Sequence, residues 1–322
     1  MYMKLLKSKG IWICIALLLV VAGIFLLRGS QPGSKYLDDS TQLIRNLAAV
    51  NDPSLADVLD QSVVFIPAGN FIRGSDTGNY NEGPQQSVYL DAFKMDRYEV
   101  TNIQYSRFLS VIGSKPPSYW SDGNYPTGQA DYPVVGISWE AANAYCAWAG
   151  KRLPTEAEWE KACRGPNGNL YPWGNQWDLQ RANVDFTTGS LFESGQAGSP
   201  TAWAYTWQLL RATPGIGQLG LRPVGSYLDG PSFYGIMDLA GNASEWVLDW
   251  YNWGDYSRMP VQNPVNLEPP WNHCVRGSAW HDPAGDIYQV QGSSRCSTRN
   301  SAHSIADPRT GFRCAQSVPE NE

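Results

Sequence analysis

Charge is scarce in this chain. Only 17% of its 322 residues are Asp, Glu, Lys or Arg, and histidine occurs three times. So little charge argues against a fold built on long amphipathic helices. The net balance of −6 and a pI near 5.2 leave no basic stripe to displace counterions from phosphates. A nucleic-acid partner is therefore not expected. No low-complexity tract and no internal repeat at a fixed period is present. Also missing are a Ser-His-Asp motif, a phosphate-cradling glycine loop and a zinc signature. What the chain does have is Trp (14), Gly (31) and Pro (22), the composition of short strands and ordered loops packed by aromatic rings. Its length allows one large domain or two small ones, with ample core either way.

The N-terminus is different in kind. Lys4, Lys7 and Lys9 precede Ile11 to Leu27, an uncharged run of 17 residues closed by Arg28. That is the lower limit for a membrane-spanning helix, and the lysines place residues 1–10 in the cytoplasm with the remainder exported. Leu26-Leu27-Arg28 offers no small residue where the apolar run ends, so a signal anchor over 11–28 is expected rather than a cleaved peptide. Cys14 lies inside the run, which argues against lipid attachment. Residues 29–61 read as a stalk, 62–318 as the globular domain and 319–322 as a tail. Export fits the other cysteines: Cys146, Cys163, Cys274, Cys296 and Cys314 are odd in number, which in an oxidising compartment suggests two bridges and one free thiol.

Within the domain, Val63 to Gly69 and Ser87 to Phe93 read as strands flanking a Gly/Asn-rich loop. Three helix starts are signalled. Thr101 and Gln104 form a capping box before a helix that buries Phe108, Leu109 and Ile112 and stops at Gly113. Ser138 caps a second helix with Ala142, Cys146 and Ala149 on one face. Thr155 and Glu158 form another capping box behind Pro154, and Gly165-Pro166 ends that helix. No long helix follows.

With these residues in hand, the chain resembles the formylglycine-generating enzyme family, the sulfatase-modifying-factor domain. The landmarks run in order: Phe65-Ile-Pro-Ala-Gly69 with Arg73-Gly74, Asp96 to Asn102, Gly136-Ile-Ser-Trp139, Gly150 to Glu160, Tyr171-Pro-Trp-Gly-Asn175, Gly241 to Trp246, Arg276-Gly-Ser-Ala-Trp280 and Gly311-Phe-Arg-Cys-Ala315. The resemblance implies an irregular α+β fold of the C-type-lectin-like kind, low in regular secondary structure. It implies bridges Cys146–Cys314 and Cys163–Cys296, leaving Cys274 free. It implies a calcium site on Gly241, Asn242, Ala243 and Glu245, with hard oxygen ligands from a tight loop; the same residues also read as a Gly-turn whose Asn satisfies its own backbone. Asn183 and Val184 match the opening of a second calcium site whose downstream acid falls in an unusually long stretch, Thr187 to Arg222. Asn242-Ala-Ser244 is also a glycosylation sequon.

The departure lies at the chemistry. The family's enzyme oxidises a substrate cysteine with O₂, using copper held by two cysteines a few residues after the Arg-Gly-Gly-Ser-Trp-like segment. Soft thiolates select Cu(I). Here Arg276-Gly-Ser-Ala-Trp280 is followed by no cysteine until Cys296, and Ala279 stands where the family carries an active-site serine, beside Ser278. Copper is therefore not expected. Trp246, Ser278, His281, Asp282 and Arg299 remain as groove candidates. His281, Asp282 and Asp286 read either as an acid–base or hard-metal cluster or as an ordinary solvated loop. In the long insertion, Trp203, Tyr205 and Trp207 alternate, either as a face for a protein, a glycan or the membrane surface or as rings folded back onto the domain. Three functions stay open: a membrane-anchored binding or accessory module on the domain's extracytoplasmic, periplasmic side; an exported oxidase or modifying enzyme using non-cysteine groove residues; and a lectin-like receptor for a ligand.

Overall fold

The computed structural model describes residues 62–184, 220–252, 256–268, 272–280, 291–302 and 307–319. The expected signal anchor and stalk, the Trp203–Trp207 face and the His281–Asp286 cluster lie outside the described residues. Among the described residues no helix is long and apolar enough to cross a membrane.

All three expected helices form where their caps lie. Helix α1 (Asn102–Ile112) starts with the Thr101 amide donating to Gln104 Oε1 at 2.9 Å. It ends at Gly113, whose amide reaches Leu109 O. Helix α2 (Trp139–Trp148) is capped by Ser138 Oγ, which accepts from the Ala141 amide. Helix α3 (Glu156–Arg164) has both halves of its capping box, Thr155 Oγ1 with the Glu158 amide and the Thr155 amide with Glu158 Oε2. Each cap satisfies amides that the helix itself leaves unpaired.

The two expected strands are each interrupted. The first splits into β1 (Val63–Ile66) and the start of β2 (Gly69–Arg73), and the second into the end of β3 (Gln86–Leu90) and the start of β4 (Phe93–Asp96). Pro67 is the reason for the first break, since it has no amide for a ladder. The halves then pair in two different sheets: β1 with β4, and β2 with β3. Strand β9 (Ala315–Ser317) completes the first sheet against β4. A four-stranded sheet in the order β7-β6-β5-β8 carries the centre of the molecule. It comprises β5 (Ser244–Trp250), β6 (His273–Arg276), β7 (Arg299–Ala302) and β8 (Thr310–Phe312), with β5 and β8 parallel.

Two cores flank this sheet. One gathers Tyr105, Phe108, Tyr145, Trp148 and Phe312 between α1 and α2, ring centroids 5.3 to 5.8 Å apart. The other packs Trp159 of α3 against Ile66, Phe71, Phe93 and Met95. A disulfide closes each, Cys146–Cys314 and Cys163–Cys296, and Cys274 is left as a buried free thiol among the described residues. The mixed α+β architecture, with short strands and few helices, is the one expected from the sequence.

Candidate functional site

Four segments far apart in sequence meet at the Gly241–Ala243 turn. Gly241 sits at φ +85, and a Cβ there would lie 2.4 Å from Asn183 O; only glycine allows that approach. Asn242 follows in the left-handed region, φ +61. Its amide donates to Asn183 O, and its carbonyl accepts from the Trp280 amide at 2.7 Å. Its side-chain oxygen accepts from Asn183 Nδ2 and the Arg222 amide, and its Nδ2 donates to Glu99 Oε2. Glu99 Oε1 takes the Ala243 amide. Ser278 Oγ accepts from the Gly241 amide and lies 2.8 Å from Ser294 Oγ.

The result is a rigid polar platform. The chain runs out of it at Val184 and returns at Gly220, which packs so closely that a Cβ would meet the Trp280 ring at 2.2 Å. It runs out again at Trp280. The roots of the long insertion and of the segment that follows Arg276-Gly-Ser-Ala-Trp280 are therefore held side by side. Burial raises the Glu99 carboxyl well above its usual range, with Asp238 and Glu245 adding to the rise. Asp238 is pushed up to about 6, again mainly by burial.

A second buried network lies behind the platform. Glu156 accepts from Arg73 Nη2 at 2.9 Å, from Arg299 Nε and Nη2 at 2.6 and 2.9 Å, and from the Cys274 thiol at 2.9 Å. Its amide donates to Asp249 Oδ2. Arg276 and Arg164 share Glu160 beside it. The Tyr256 ring lies beneath Arg73 and Arg299, 3.8 and 4.5 Å from their guanidinium carbons. Burial alone would raise the Glu156 carboxyl, but Arg299, Arg276 and Arg73 together hold it below the usual carboxylate range. Burial, followed by the Glu156 charge, pushes the Cys274 thiol up and away from a reactive thiolate.

These contacts place three of the groove candidates in the interior. Trp246 is wholly buried, its indole N–H donating to Ile137 O, because β5 is the central strand and both its faces are covered. Arg299 is 4% exposed and engaged with Glu156. Ser278 is 3% exposed and holds the turn. None of the three faces solvent. His281 and Asp282 lie outside the described residues. Asn242 is 1% exposed, so its sequon is not open to a glycosyltransferase in the folded chain. Glu99, Ser294 and the Glu156 hub escaped sequence reasoning. The available signal was a lone carboxylate between Tyr98 and Val100, inside the Asp96 to Asn102 landmark.

The family model for the sulfatase-modifying factor enzyme 1-like domain matches residues 52–318. The chain belongs to this family. The match begins within the segment expected as stalk. The chain is 32% identical over 275 residues to the serine/threonine-protein kinase Pkn1 of Chlamydia trachomatis, covering 80% of this chain and 38% of the kinase. The chain thus spans well under half of that relative. It is 30% identical over 301 residues to the formylglycine-generating enzyme of Bos taurus, covering 79% of this chain and 74% of that one. Among solved structures, PvdO from Pseudomonas aeruginosa superposes with a TM-score of 0.57 at 24% identity, over 80% of this chain and 94% of the other. That likeness shows the fold.

Within this family a copper–thiolate pair is the chemistry to look for, and the residues do not fit it. Four of the five cysteines beyond Cys14 are in bridges, and the fifth, Cys274, is buried on Glu156. No second thiol is left to face it. The calcium ligands carried over from the family meet a similar obstacle. Both oxygens of Glu245 take hydrogens from Arg313, and Oε2 also takes the Trp159 indole N–H. The Asn242 oxygen is engaged by Asn183 and Arg222, and the Asn183 amide by Asn242 and Gly220 O. Among the described residues no three His, Cys, Asp or Glu side chains gather to hold a metal ion. As arranged, the side chains of Asn183, Asn242 and Glu245 are taken up by protein partners and are not free to enter a calcium shell.

Proposed function

We propose that this family member is a membrane-anchored, exported binding or accessory module that keeps the scaffold of a formylglycine-generating enzyme without its oxidation chemistry. One observation carries the reading: every cysteine of the domain is engaged in a bridge or buried, so no thiolate pair can face the groove. The platform around Asn242 supports the rest. It is built of hydrogen bonds that fix backbone, and it holds the roots of two long segments, which is what a display scaffold requires. On this reading Trp203, Tyr205 and Trp207 in the insertion supply a face for another exported protein or for a small ligand. Residues 11–28 hold the domain on the extracytoplasmic side, in keeping with its two disulfides. The kinase activity in the name of the Pkn1 relative is not carried over, since the shared part is 38% of that protein and this chain has no phosphate-cradling loop.

The purified chain, incubated with Cu(I) and desalted, is assayed for bound copper by elemental analysis and for oxygen uptake with a cysteine-containing sulfatase peptide. The expected result is substoichiometric copper and no uptake above background. One copper per chain together with turnover of the peptide overturns the reading.

A further inference from the structure

A cleft of about 520 Å³ opens between α1 and the loop that follows it, lined by Ser106, Asn124, Tyr125, Thr127, Gly128 and Ala130. We infer that it binds one unit of an uncharged saccharide, with Tyr125 as the stacking surface.

The cleft is built rather than incidental. Two tight turns frame it: the Asn124 amide closes on Ser121 O at 2.9 Å, and the Gln129 amide on Pro126 O at 3.1 Å. Between them Tyr125 is fixed by an edge contact with Trp120, centroids 5.5 Å apart at 74°. The loop is tied to the first turn of α1, since the Ile103 amide donates to Ala130 O and Asn102 Nδ2 to Gln129 O. A ring held this way costs little to order on binding.

The lining decides the ligand class. None of the lining residues is an acid, a base or a histidine, so a charged group would enter without a counter-ion. Ser106, Thr127, Tyr125 and Asn124 supply hydroxyls and an amide. The Ser106 hydroxyl donates to Ile103 O and keeps its lone pairs, and Asn124 uses one amide hydrogen on Asp122 O and keeps the rest. A purely apolar ligand would leave these groups unpaired. A sugar ring meets both demands, presenting C–H bonds to an aromatic face and hydroxyls to the rim. A Cβ at Gly123 or Gly128 would meet nothing within 4 Å, so the mouth is open to the end of a longer glycan as well as to a free sugar.

The inference rests on the binding-module reading and gives it a ligand class. The full chain is prepared in a sugar-free detergent. Saturation-transfer NMR with glucose, galactose and N-acetylglucosamine forms one arm. An array of neutral oligosaccharides forms the other, with sialylated and sulfated ones as charged controls. Binding of a neutral probe is expected, weakened at least tenfold by Tyr125→Ala and abolished by Thr127→Trp, an exposed change that fills the cleft without touching the core. Free sugars that bind as well as oligosaccharides identify a monosaccharide ligand, and a preference for the array identifies a glycan end. No neutral binding, binding that survives Thr127→Trp, or a preference for the charged probes overturns the inference. A negative result here leaves the copper measurement untouched, so the two readings fail separately.

Discussion

At the scale of single residues, the protein concentrates its electrostatics in two buried sets, and their sign can be worked out. Asp249 and His273 are neighbours on β5 and β6. Burial, followed by the Glu156 charge, pushes Asp249 up to about 7. Burial pulls His273, stacked between Trp139 and Trp250 at 3.9 and 3.7 Å, down to about 4. Between pH 4 and 7 folded Asp249 keeps a proton that the unfolded chain has released, so its contribution falls as pH rises. Over roughly the same window the unfolded chain protonates histidine and the folded chain does not, so the His273 contribution rises with pH. The two slopes oppose each other. Urea denaturation at several pH values, read as the difference from the unmodified chain, is expected to show Asp249→Asn making the slope of stability against pH more positive between pH 4 and 7 and His273→Phe making it more negative between pH 4 and 6.5. Equal slopes in the two variants would refute the assignment.

Glu156 makes the sharper residue-scale case. Replacing it with Gln leaves Arg73 and Arg299 buried without their shared carboxylate, and breaking such a set from one side costs about 3 to 5 kcal/mol. The fall should appear as a lower urea midpoint with an unchanged slope. Replacing Cys274 with Ala removes only a thiol hydrogen bond and should cost about 1 kcal/mol. The calcium expectation is tested at the same scale. With Asn242 and Glu245 engaged by protein partners, a calcium chelator should leave the Tm unchanged, because a ligand that is not bound contributes nothing by mass action. A chelator-dependent fall in Tm would restore calcium to the turn.

At the scale of elements, the helices were legible and the strands were not. Thr101, Ser138 and Thr155 announce their helices because capping is local: the side chain and the amide it satisfies lie three residues apart. The same locality fails for strands. Val63 to Gly69 reads as one strand because its residue types suit a pleated surface, but which sheet it joins depends on partners such as Lys94 and Leu90, and the pairing of β4 with β9 spans more than two hundred residues. The buried network was hidden for a related reason. Arg73, Glu156, Arg276 and Arg299 look like surface residues one at a time, and only the fold brings their charges together. Element packing also makes a prediction. The Cys146–Cys314 bridge ties α2 to the end of β8, and Cys163–Cys296 ties α3 to the approach to β7, across separations of 168 and 133 residues. In the chain-entropy account each contributes about 5 kcal/mol, and the difference in loop length is worth only about 0.2. Double Cys→Ala variants of the two bridges should therefore lose similar stability in guanidinium titrations. A large inequality would mean that packing around one bridge, rather than loop closure, sets its value.

For the whole molecule, the order of eight motifs was enough to name the fold, while the chemistry had to be read from what stands between them. The family frame survives because its motifs are frame residues: Arg313 and Glu245 pair in the interior, and Gly241 and Trp280 lock the platform. The groove is a separate matter, and its sequence has changed without disturbing the frame. This separation bears on where the protein can fold. Two bridges at about 5 kcal/mol each are comparable to the whole stability of a typical domain, about 5 to 15 kcal/mol, so the reduced chain should not hold its fold. The thiol count then reports the compartment. The full chain has six cysteines, and cells are quenched with acid before a maleimide-polymer label is added under denaturing, non-reducing conditions. An exported domain should take up two labels, on Cys14 and Cys274, and six after reduction. Six labels before reduction would place the domain on the reducing side of the membrane and remove the basis for reading it as an exported module.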